Sequence, residues 1–158
     1  MTAALQRKLV LDDPTLCPLL DIAGARAALP GHDEDDILAL VEERYLEAFD
    51  LSYNLVVARR ECRVLKASVE HFQQTGGSRP ARWSVEKILA EVLKGWAKPW
   101  MEATRVKLLL NCSSTHIYSL LENRDLRVMP GTTWDRGPGN SAQIEMESLK
   151  RFLKGARL

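Results

Sequence analysis

The sequence of 158 residues predicts a mainly α chain in two parts. An N-terminal helical region of about three helices covers residues 1–97. A smaller unit covers residues 98–158, with two short helices followed by two short strands. Three observations carry this reading. Apolar residues recur at spacings of three and four between residues 37 and 96. The stretch Thr75-Gly76-Gly77-Ser78-Arg79-Pro80 is a Gly/Pro break of the kind that separates units. After Met101 the pattern shortens, and brief apolar runs alternate with Asn-, Ser- and Gly-rich turns.

Composition limits the function classes. An apolar content of 46% belongs to a globular chain and argues against a disordered tail. No apolar run approaches the roughly 20 residues of a membrane-spanning helix, and the N-terminus lacks a signal-like apolar stretch, so a cytoplasmic, nucleoid-associated location with no membrane partner is expected. Cys17, Cys62 and Cys112 stand in no metal-ligand spacing and read as buried free thiols. Residues 1–97 hold 12 Lys/Arg and 15 Asp/Glu, whereas residues 98–158 hold 10 and 6. The C-terminal part is therefore basic by +4, which favours an anionic partner there.

Taken in order, residues 1–32 read as a loose arm or a short helix, with Leu16, Leu19, Leu20 and Ile22 available to pack on the next helix. A first clear helix begins near His32-Asp33, because Asp33, Glu34, Asp35 and Asp36 crowd a first turn where the helix dipole favours negative charge. Ile37, Leu40, Val41, Tyr45, Ala48 and Phe49 share one face, and Asp50-Leu51-Ser52 ends the element. A longer helix is expected from about Tyr53 to Gln74, with a heptad-like seam of Leu55, Ala58, Cys62, Leu65, Val69 and Phe72. That seam packs on the first helix or on a second chain. Arg59, Arg60, Arg63 and Lys66 lie on its other side, as a solvated face or a phosphate contact. Ser84 caps a third helix with the stripe Val85, Ile88, Leu89, Val92, Leu93 and Trp96, ended by Lys98-Pro99. No internal repeats and no low-complexity tracts are expected.

In the C-terminal unit a helix from about Ala103 to Leu110 meets a second from about Ser114 to Glu122. The joint needs a residue that tolerates a left-handed backbone, and Asn111 stands there. Ser113 or Ser114 can accept bonds from the free amides of the second helix. Leu126–Met129 and Gln143–Met146 read as strands flanking a polar loop from Pro130 to Ala142, and Ser148–Leu153 as a closing helical turn or two.

The stretch from Val106 to Glu122, with Ser113-Ser114-Thr115-His116-Ile117-Tyr118 at its centre, resembles the helix-turn-helix of excisionase-like proteins, small relatives of the MerR superfamily. Asn123-Arg124-Asp125-Leu126-Arg127-Val128 resembles the family's polar turn and first wing strand, and Ile144–Leu153 its second wing strand and closing helix. The similarity covers about one third of the chain. It departs from the family at Lys107, where a small residue is usual, and at Asn111, where glycine is usual. The loop 130–142 is long for a wing, and no coiled coil comes after it.

The resemblance implies a winged helix-turn-helix with a two-stranded β-wing that binds double-stranded DNA. The helix from Ser114 would enter the major groove. Candidate DNA-binding residues are Ser113, Ser114, Thr115, His116, Tyr118 and Ser119 on the helix, and Arg124, Arg127, Trp134 and Arg136 on the wing. His116 is expected exposed rather than metal-bound. Tyr118 reaches a phosphate or packs at the rim, and Trp134 forms a small satellite core or packs on a sugar. The implied roles are transcription regulation or recombination directionality. The N-terminal helices would dimerise or dock a recombinase or polymerase. The alternative is a protein–protein module that keeps the fold without binding DNA. No catalytic, metal or cofactor site is expected: there is no nucleophile elbow, and the Gly137-Pro138-Gly139 run lacks the Lys-Ser/Thr of a phosphate loop.

Overall fold

The computed structural model describes residues 17–52, 61–94, 96–129 and 142–158. Its elements run β1 (Leu19–Leu20), α1 (Ile22–Ala28), α2 (Glu34–Glu42), β2 (Ala48–Asp50), β3 (Cys62–Leu65), α3 (Lys66–Gln74), α4 (Val85–Leu93), β4 (Trp100–Glu102), α5 (Ala103–Leu110), α6 (Ser114–Glu122), β5 (Gln143–Glu145) and α7 (Met146–Ala156). The described residues thus form a mixed α/β structure with two small antiparallel sheets. The N-terminal part is not the all-helical region expected, because it contains a three-stranded sheet in the order β1-β3-β2.

The acidic run does begin a helix. Asp33 Oδ1 accepts the Asp36 amide at 2.8 Å and Asp36 Oδ2 accepts the Asp33 amide at 3.0 Å, a reciprocal cap. The helix stops at Glu42 rather than near Phe49. Arg44 turns left-handed (φ 62°), and the Arg44 and Tyr45 amides bond back to Val41 and Leu40. Leu46 and Ala48 then enter the core as alternate residues of an extended segment. Their spacing imitates a helical stripe because Tyr45 and Phe49 are also apolar.

The expected long helix is likewise corrected. Cys62, Arg63, Val64 and Leu65 are a strand covered on both faces, and the helix starts at Lys66. A strand buried on both sides shows no polar alternation for sequence to reveal. Cys62, Leu65 and Val69 are consumed by intramolecular packing rather than a dimer seam. Arg63 is buried and Lys66 half-buried, so the two do not form an open basic face. Leu55, Ala58, Arg59 and Arg60 lie outside the described residues.

The main departure from the sequence reading is an internal repeat. The order β1-α1-α2-β2-β3-α3 recurs as β4-α5-α6-Val128-β5-α7, with Val128 making a single bridge to Ile144 where β2 pairs with β3. Leu19 and Leu20 pair with Leu65 and Val64, as Trp100 and Met101 pair with Glu145 and Ile144. The backbone bonds repeat too. Tyr45 and Leu46 donate to Leu40, and Asp125 and Leu126 donate to Leu120. Arg44 and Arg124 share φ 62°. Ser68 Oγ accepts the Glu47 amide at 3.0 Å and donates to Leu65 O, while Ser148 Oγ accepts the Arg127 amide at 3.0 Å and donates to Glu145 O. Pro18 and Pro99 carbonyls receive the first amides of α3 and α7.

Each unit buries its own helices on the inner face of its sheet. Ala25, Leu29, Ile37, Val41, Leu46, Val64 and Val69 in the first unit correspond to Val106, Leu110, Ile117, Leu121, Leu126, Ile144 and Leu149 in the second. The outer face of the first sheet, Leu19, Phe49, Leu51 and Leu65, is packed into the second unit's core together with α4. Ser84 caps α4 as expected, and Ile88, Val92 and Leu93 are buried. Residues 157–158 return to the first unit. Leu158 donates its amide to Ala48 O, and Arg157 pairs with the buried Glu47.

Candidate nucleic-acid interface

The second unit's helix pair is built by its joint. Asn111 sits in the left-handed region at φ 51°, ψ 52°. Its amide bonds to Leu108 O and the Cys112 amide to Lys107 O, which satisfies carbonyls left open by α5. Ser113 Oγ then accepts the His116 amide at 3.1 Å and caps α6. Val106, Leu109, Leu110, Ile117, Leu120 and Leu121 are all buried between the helices and the sheet, so the apolar set read from the sequence is the packed set. Lys107 points to solvent, which removes the clash that its size would otherwise cause.

The described candidate residues separate into three groups. Ser113, Ser114 and Thr115 are exposed at the start of α6, and Arg124 and Arg127 are exposed beyond its end. Tyr118 and Ser119 are half-buried, and Ser119 Oγ donates to Thr115 O, so its proton is held within the helix. His116 is buried, against expectation. Its Nε2 lies 2.7 Å from Leu51 O, a carbonyl that can only accept, so Nε2 carries the proton and the ring faces the first unit. One turn position decides this. Residue 116 falls on the side of α6 that the first sheet covers, whereas 114, 115, 118, 119 and 122 form the outward stripe. Trp134 and Arg136 lie outside the described residues.

Sequence reading missed the residues that hold the joint. Arg63 Nε donates to Asn111 O at 2.8 Å, and Asn111 Nδ2 donates to Leu19 O at 3.3 Å. Arg63 is also bonded to Cys62 O and paired with Glu61 at 3.2 Å. Nothing in the local pattern distinguishes Arg63 from its neighbours Arg59 and Arg60. Cys112 sits beside this joint, and burial pushes its thiol up to about 12, against the opposing pull of Arg63.

Electrostatics differ sharply between the two units. At the positions of Ser114, Thr115, Tyr118, Ser119 and Glu122, the first unit presents Glu34, Asp35, Leu38, Ala39 and Glu42. Residues 19–74 hold 6 Lys/Arg and 11 Asp/Glu, and residues 98–158 hold 10 and 6. Exposed Arg105 and Lys107 add to the second unit's positive surface. Among the described residues no cluster of three or more His, Cys, Asp or Glu is placed to hold a metal ion, and no helix is long and apolar enough to cross a membrane. No family model, curated protein or solved structure matches the chain.

Proposed function

We propose that the chain binds double-stranded DNA through residues 98–158, acting as a winged helix-turn-helix of the excisionase-like kind in transcription regulation or recombination directionality at the nucleoid. The observation that carries this reading is the outward stripe of α6. Its capped N-terminus presents Ser113, Ser114 and Thr115 unobstructed, with no carboxylate before Glu122 and with exposed Arg124 and Arg127 beyond. Small hydroxyl side chains reach base edges and phosphates without the bidentate geometry of Arg or Asn, so base discrimination is modest and phosphate contacts dominate affinity.

The test is fluorescence anisotropy of the full chain with a labelled random duplex over a range of salt. Affinity falls steeply with salt, and Arg127→Ala weakens binding while lowering the log–log slope by about one. No binding of duplex at low salt and tens of micromolar protein removes the proposal. That result favours the second reading, a protein-interaction module, which the lack of any Arg, Asn or Gln within α6 supports. Dimerisation or docking of a recombinase or polymerase through residues 1–97 remains part of the proposal, and light scattering with and without DNA tests the dimer.

A further inference from the structure

The two units are alike in backbone but opposite in what their sheets do. The first sheet's outer face is apolar apart from the buried Arg63 and is covered by the second unit. The corresponding face of the second sheet carries Trp100, Met129, Gln143 and Glu145, of which Trp100 is 38% exposed and the others half-buried. Among the described residues, only the first sheet holds the other unit on its outer face, and what it holds is the α5–α6 joint. Three hydrogen bonds converge there: Arg63 Nε to Asn111 O, Asn111 Nδ2 to Leu19 O, and His116 Nε2 to Leu51 O. The first unit's own outward stripe, with Glu34, Asp35 and Glu42, repels phosphate.

We infer that the units divide the work: the second reads the duplex, and the first is a brace that fixes its reading helix, with Arg63 as the positioning residue. This rests on the DNA-binding reading above. Arg63 is placed where its equivalent in the second unit is Gln143, and its guanidinium joins strand β3 to the left-handed residue on which the direction of α6 depends. Being buried, it cannot itself touch a phosphate. A helix whose contacts are short hydroxyls has little reach to correct a tilt, so a small reorientation of α6 separates Ser114 and Thr115 from the groove.

The test compares Arg63→Met, which keeps the stem, and Arg63→Lys with the unaltered full chain. Three readouts are needed: thermal midpoint, duplex affinity with its salt slope, and amide exchange at residues 111–117. Positioning predicts that Arg63→Met weakens duplex binding about tenfold well below its melting temperature, with the salt slope unchanged. Exchange at residues 111–117 quickens while the β1–β3 amides stay protected, and Arg63→Lys recovers part of both effects. A loss of affinity accompanied by a slope lower by about one would make Arg63 a phosphate contact and overturn the inference. Unchanged exchange at residues 111–117 overturns it as well. If the unaltered chain binds no duplex, the DNA reading fails, and the exchange measurement alone still decides whether the first unit sets α6.

Discussion

Replacing Glu47 is the most informative perturbation of the packing between the units. Glu47 is 1% exposed, and its carboxylate accepts from Arg157 Nε and Nη2 at 3.2–3.3 Å and from the Trp83 amide at 3.0 Å. Arg157 Nη2 also donates to Trp83 O at 2.7 Å. The group therefore ties the first unit, the segment before α4 and the chain's last turn. Glu47→Ala leaves a largely buried guanidinium with one acceptor and an orphaned amide.

Breaking a buried pair from one side costs about 3–5 kcal/mol. The unsatisfied Trp83 amide, about 1–3 kcal/mol alone, overlaps with that figure because the groups share one network. For a chain of this size the loss lowers Tm by roughly 10 °C. Arg157→Ala behaves alike, since it strands the carboxylate instead. Replacing both, Glu47→Met with Arg157→Leu, recovers part of the loss, because the pair's desolvation is also removed while the Trp83 amide stays without its acceptor. Thermal unfolding followed by circular dichroism reads all three. Single variants melting within about 2 °C of the unaltered chain would refute the reasoning, and so would a double variant as unstable as the worse single.

Other consequences are as direct. Asn111→Ala loses the left-handed tolerance of Asn and the bond to Leu19 O, and costs about 2 kcal/mol by chemical denaturation, whereas Asn111→Gly keeps the backbone and costs about half that. Ser68→Ala and Ser148→Ala each remove a buried hydroxyl bonded on both sides, and each costs about 1–2 kcal/mol; widely different costs would count against the equivalence of the two units. Cys112 stays a neutral thiol in the folded chain. At pH 8 it presents on the order of a thousandfold less thiolate than in the unfolded chain and alkylates correspondingly slowly. Its folded pKa is raised, so its contribution to stability is whole below about pH 9 and is lost as pH rises from there toward 12, which urea melts across that range measure.

The helix pair of the second unit was legible in the sequence because it is marked by local chemistry, whereas its sheet was not: β5 pairs with the unforeseen β4, and the expected first wing strand, Leu126–Met129, meets β5 only at the Val128 bridge. Asn111 at the left-handed joint and the apolar set from Val106 to Leu121 each have one structural solution, and the structure adopts it; of the two serines able to cap α6, it uses Ser113. The first unit was not legible as a unit. Its α1–α2 joint uses Leu29-Pro30-Gly31, its helix α2 is acidic where α6 is not, and its sheet is buried on both faces with Arg63 among the apolar residues, so each element imitated something else. The repeat left one plain trace, Leu-x-Glu-x-Arg-x-Leu at residues 40–46 and again at 120–126. In both places it encodes a helix end, a left-handed arginine and the re-entry of a leucine into the core. The burial of His116 depends on a partner, Leu51, 65 residues away in the chain, and no local pattern reports such a contact.

Amide chemical-shift mapping during titration with a random duplex bears most directly on where this molecule meets nucleic acid. The expected shifts gather at Ser113–Ser119, Arg124 and Arg127, while Glu34–Glu42 stay silent. Shifts centred on Glu34–Glu42, or none at saturating duplex, would contradict a reading surface on α6.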